Sequence, residues 1–195
     1  MTDPVKFAVI ELDMHHITKQ NVWLTFIASI VLLFAYYLTF GWPEHFSISS
    51  ILLNIVLFVV LYVALIVLHE ICHLIGFVLF GRVPLSSLKY GLNLKLGVAY
   101  ATTTELLPNY VMRKALLLPF WVTGVIPVII GFAIENVAVV LGGAWLIAGA
   151  IGDFAMYTAL LKYPKNCLVK DDEKFPRLHL YSLKPLETTK KDTTL

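Results

Sequence analysis

Charge is what this sequence has least of. Asp, Glu, Lys and Arg fill 14% of its 195 positions, against about 25% in an ordinary water-soluble domain. Hydrophobic residues fill 58% and fall in long uncharged runs, so the solvent these segments suit is lipid. Cysteine is nearly missing: Cys72 and Cys167 are the two present, which excludes a disulfide framework. A net charge of +2 is too small to mark nucleic acid as a partner. The opening "MTDPVKFAVIELDMHHITKQN" mixes acids and bases and shows no cleavage-like pattern, so a secretory signal is not expected there. There is no internal repeat or low-complexity tract.

What the chain has instead is four runs long enough to cross a bilayer, each near the roughly 20 apolar residues a helical span needs. They cover about 22–42, 51–80, 115–134 and 137–161. Pro119 and Pro127 in the third predict a kink. The basic residues are one-sided. Lys6 and Lys19 precede the first span, five (Arg82, Lys89, Lys95, Arg113, Lys114) lie between the second and third, and the rest follow the fourth. The short connections "GWPEHFSISS" and "EN" hold none of the 15. The expectation is a multi-pass cell-membrane protein with both termini cytoplasmic. It divides into a tail over 1–21, a four-helix membrane domain over 22–161 and a tail over 162–195.

Between the second and third spans the pattern changes. Leu88, Tyr90, Leu92, Leu94, Leu96, Val98 and Tyr100 alternate with Lys89, Gly91, Asn93, Lys95, Gly97, Ala99 and Ala101. A period of two predicts a strand or small hairpin over about 86–103. It is either structural or an edge that holds an extended substrate. The fold class expected is therefore an all-α polytopic membrane protein carrying one small β segment. The "KDDEK" run reads as a solvated surface, and "ETTKKDTTL" as disordered.

Inside the second span stands "VLHEICHLIGF". Ionisable groups at membrane depth are costly and face protein or water when they occur. His69 and His73 are four residues apart, so on a helix both imidazoles share one face and can reach one metal ion. Glu70 follows the first histidine, beside the metal, where it can take a proton from a water that zinc brings to a pKa of about 7. The alternative is two satisfied core histidines with a protonated glutamate. Cys72 points about 100° away from His73 along the helix and reads as packing. His15, His16 and His179 lie in polar segments, and His45 lies in the outer connection.

A catalytic zinc needs a third protein ligand, and Asp153 in "GAIGDFAMY" is the other acid buried in a span. Counted from the outer ends of their spans, His69 and Asp153 reach similar depths, about 27 Å and about 24 Å. Ala144, Ala148, Gly149 and Gly152 would let the two helices approach closely. The alternative is an aspartate paired with Lys162 or protonated among the helices.

These residues resemble the intramembrane metalloproteases of the site-2 protease class. A closer resemblance is to small bacterial membrane proteins of unknown function classed as zincin peptidases. It runs from about Val67 to Tyr181, through "LHEICHLIGF", "LKYGLNLKLGVAYATT", "GDF" and "YPKNCLVKDDEKFPRLHLY". The resemblance implies zinc on His69 and His73, Glu70 as catalytic base and an acid from the later helix. One departure is plain: site-2 proteases carry Asp-Gly after an Asn-x-x-Pro element, whereas here Gly152-Asp153 is reversed and no such element precedes it.

Three readings follow. The first is a membrane-embedded zinc metallopeptidase acting on a membrane protein or small peptide, with Asn93 and Tyr157 as candidate substrate contacts. The second is a metal-binding membrane protein or a pseudoprotease that holds client proteins without cutting them. The third is a metal-free helical scaffold. Glu70 separates the first two, because a mere metal site has no need of a base there. The sequence carries no signal for an oligomeric state.

Overall fold

The computed structural model describes residues 4–41, 47–93, 98–172 and 175–183. Four helical passages are long and apolar enough to cross a membrane: Met14–Phe40, Ile48–Gly81, Asn109–Ala133 and Val137–Leu160. The first, α1 (Met14–Phe40), starts on Asp13, whose side chain accepts from the His15 and His16 backbone N–H groups, and stops at Gly41. Capping by a short acid and a glycine stop are the expected end signals. The second, α2 (Ile48–Gly81), has 34 residues and so extends about 51 Å, well past the ~30 Å hydrocarbon layer. It ends where Arg82 turns left-handed, with φ at 52°.

The third passage is broken in a specific way. α3 (Asn109–Pro119) leads into a π-helical turn over Phe120–Val125, and α4 (Ile126–Ala133) completes it. The expected proline disturbance is therefore a π turn directly after Pro119. The fourth passage also divides, into α5 (Val137–Gly149) and α6 (Ile151–Leu160), with Ala150 between them. Asp153 sits in the first turn of α6.

The β structure exceeds expectation. The hairpin is present as β2 (Leu88–Asn93) and β3 (Val98–Thr103), antiparallel, with Leu88 opposite Thr103. A second, four-stranded antiparallel sheet joins segments read as tails. β1 (Val5–Glu11) pairs with β6 (Arg177–Ser182), β6 with β5 (Leu168–Asp171), and β5 with the short β4 (Leu107–Pro108). An all-α domain with one hairpin is thus incomplete, and α1 starts eight residues before the expected boundary at Val22. "ETTKKDTTL" and His45 lie outside the described residues.

Both sheets lie at one end of the helices, because they join the start of α1, the end of α2, the start of α3 and the end of α6. The core is concentrated there: Leu107, Met112, Leu160, Val169 and Leu180 are almost fully buried between α3, α6 and the sheet. Asn109 locks this end. Its side-chain amide donates to the Leu160, Tyr163 and Pro164 carbonyls, while its Oδ1 accepts from Arg113. The outer parts of α1 and α2 instead expose apolar side chains along their length, as lipid-facing helices do.

Candidate metal centre

His69 and His73 lie one turn apart on α2, with ring centroids 5.1 Å apart, and both are buried. Asp153 meets them from α6. Its Oδ2 is 3.1 Å from His69 Nε2 and its Oδ1 is 3.4 Å from His73 Nε2. Donor atoms of the three residues fall within 4.8 Å of one another. Two ligands about 2.0–2.1 Å from one tetrahedral ion are about 3.3 Å apart, so these spacings suit one zinc.

The outer face of each imidazole fixes its inner face. Residue 119 is proline and has no N–H, so the Ala115 carbonyl one turn earlier loses its helical donor. His73 Nδ1 lies 3.2 Å from that carbonyl oxygen. A carbonyl only accepts, so Nδ1 carries the hydrogen, and Nε2 is the ring atom turned toward Asp153. Gly76 permits the approach: a Cβ there would lie 2.9 Å from Ala115 Cα.

His69 is arranged in parallel. The Thr123 hydroxyl, fully buried in the π turn, donates to the Pro119 carbonyl at 2.8 Å. Its proton is thereby spent, so it accepts from His69 Nδ1 at 3.3 Å. Both Nε2 atoms therefore face one carboxylate. Two imidazoles and one carboxylate with these spacings could hold a metal ion, and they are a donor set that suits zinc.

Glu70 is half-buried and lines the same cavity of about 620 Å³ as the three candidate ligands. The cavity also reaches the start of α1 at Met14 and Ile17, the aromatic pair Tyr62 and Trp145, the hairpin at Ala99–Ala101, and Asp171 and Asp172.

The other candidates separate from this group. Tyr157 lines a shallow pocket with Arg113, Lys114 and Lys165 and is not among the residues of the metal cavity. Asn93 ends β2 opposite Val98, and its side chain is outside the described residues. Cys72 is buried and unpaired. His179 is half-buried on β6, where its Nε2 lies 3.1 Å from Asp172, a carboxylate that also accepts from Arg177 at 2.9 Å. Lys162 forms no ion pair with Asp153.

Thr123 and the Ala115 carbonyl were not anticipated. A threonine four residues after a proline in an apolar run was the available signal for the first. The second has no side-chain signal beyond Pro119. The acids of "KDDEK", read as solvated surface, prove half-buried at Asp171 and Asp172 and line the cavity.

A family profile described as putative zincin peptidase matches residues 62–168. No curated protein and no solved structure matches the chain.

Proposed function

Because the chain belongs to the family described as putative zincin peptidase, we propose that it is a membrane-embedded zinc metallopeptidase with Glu70 as general base. The observation that carries the reading is the meeting of His69, His73 and Asp153 in one cavity with Glu70, on two passages apolar enough to cross a membrane. Zinc held by His69, His73 and Asp153 would supply Lewis acidity toward water and toward the scissile carbonyl.

The chain's own residues supply the rest. Glu70 takes the proton of the attacking water and returns it to the leaving amine, so one carboxyl serves both half-steps. The Ala115 carbonyl and the Thr123 hydroxyl hold the imidazoles in the tautomer that leaves Nε2 free. The Tyr62–Trp145 end of the cavity offers an apolar wall to a substrate segment. The one-sided basic residues support cytoplasmic termini. Likeness to the site-2 class rests on the His-Glu-x-x-His helix and the later aspartate. Peptide segments within or beside the bilayer are the substrates this geometry suits. A non-catalytic metal protein would have no need of a carboxyl at position 70 inside the cavity.

Glu70→Gln keeps the size of the side chain and cannot take a proton. Its expected effect is retained zinc and fold with hydrolysis lowered about 10²–10⁴-fold. Membrane-protein fragments present in cells carrying the wild type should give way to uncut precursors in cells carrying the variant. Activity of the variant within about tenfold of wild type would remove Glu70 from the role of base.

A further inference from the structure

The cavity around His69 has a direction. Along α2 its lining runs from Tyr62 through His69 to Phe77, about 22 Å at 1.5 Å per residue. The Tyr62 end is apolar: Tyr62, Ile66 and Trp145 line it. At the Phe77 end the two sheets close over it with Ala101, Asp171, Phe175 and Leu178. The candidate ligands sit between, so an occupant passes the reacting position with one part toward each end.

The two ends differ in charge. Glu70, Asp153, Asp171 and Asp172 line the cavity, and among the described residues no lysine or arginine does. Three of these carboxyls have assigned partners or roles. Asp153 faces both histidines, Glu70 is the base in the reading above, and Asp172 is paired with Arg177. Asp171 has no ion pair with a lysine or arginine among the described residues. Burial pushes its carboxyl up to about 7, against the opposing pull of the Thr102 hydroxyl and His73. A carboxyl held out of water in this way gains from an incoming cation.

Resting on the peptidase reading, we propose that Asp171 is a specificity residue that receives a cationic nitrogen of the substrate, while Tyr62 and Trp145 receive its apolar part. The substrate class is therefore an apolar peptide segment with a positive charge to one side of the bond that is cut. The charge is a lysine or arginine side chain or a free α-ammonium group, since one carboxyl serves either.

The test is binding, read by fluorescence anisotropy on the zinc-loaded full chain carrying Glu70→Gln, so that bound peptide is not consumed. The probes are short labelled apolar peptides that differ only in lysine against norleucine at the flanking position, each with a free or an acetylated amino terminus. The expected result is about tenfold tighter binding of the cationic peptides, with the difference erased by Asp171→Asn. Preference that follows lysine assigns the side chain, and preference lost on acetylation assigns the α-ammonium. Equal binding of charged and uncharged peptides by the Asp171 protein, or binding of neither, overturns the proposal even if the asparagine variant fails to fold. So does an undiminished preference in a folded Asp171→Asn variant. Charge-dependent binding with no cleavage by the Glu70 chain would instead sink the peptidase reading, and with it the substrate role, and leave only a cation-selective peptide site at Asp171.

Discussion

Thr123→Val keeps the branched shape of the side chain and removes one hydroxyl, the group that accepts from His69 Nδ1 at 3.3 Å. Partners of this kind tune metal affinity by about 10–100-fold. Zinc affinity measured by competition with a chelator should fall by that order in the valine variant and recover in Thr123→Ser. Unchanged affinity in valine would mean that the π turn, and not the hydroxyl, orients the ring. At this scale the sequence was uneven in what it revealed. His69, Glu70 and His73 were legible because a four-residue spacing on a helix is enough to put two rings on one face. Asp153 was legible as a buried acid at matching depth, although the depth count assumed one continuous helix and the chain breaks at Ala150. Thr123 was hidden, because its direction depends on a π turn whose extra residue shifts the face of the helix.

Helix contacts provide the element scale. The small residues expected to bring the fourth passage close were Ala144, Ala148, Gly149 and Gly152. Ala144 and Ala148 are indeed buried, but against α2 it is Gly142 that comes close, where a Cβ would lie 3.3 Å from Leu61 and Leu65, and the tightest contacts of this passage are with the third. A Cβ on Gly143 would lie 2.7 Å from the Gly124 carbonyl oxygen and 2.8 Å from Val128 N, whereas a Cβ on Gly149 would meet nothing within 4 Å. The first clash is with backbone and cannot be relieved by turning a side chain. Gly143→Ala should therefore destabilise the folded chain by about 1–3 kcal/mol, read as a lower melting temperature in detergent. Gly149→Ala should melt close to wild type. Equal melting of the two would contradict the packing of α5 against the π turn and α4. The strands at the two chain ends were illegible for a related reason. β1 takes its partner from about 170 residues away and β5 has four residues, so neither announces itself locally, although Leu178 and Leu180 alternate with Arg177 and His179 in β6. The hairpin, paired within itself, was readable from its period of two.

For the whole molecule, the sheets gather at one end of four passages, and the candidate metal centre lies between that end and the apolar body. The proposed orientation, with basic residues on the cytoplasmic side, puts that end in the cytoplasm. Labelling intact cells with an impermeant thiol reagent should then reach a cysteine at Ser47, before α2, and miss one at Lys89, on the hairpin. The two native cysteines are buried and leave the background low. The reverse pattern would put the site on the outer side. The central claim concerns the metal, and metal content tests it most directly. Wild-type protein purified without chelators should carry about one zinc per chain, and His69→Ala, His73→Ala and Asp153→Ala should each lose most of it. Wild-type protein that is free of zinc, or variants that hold it as tightly as the wild type, would contradict the account.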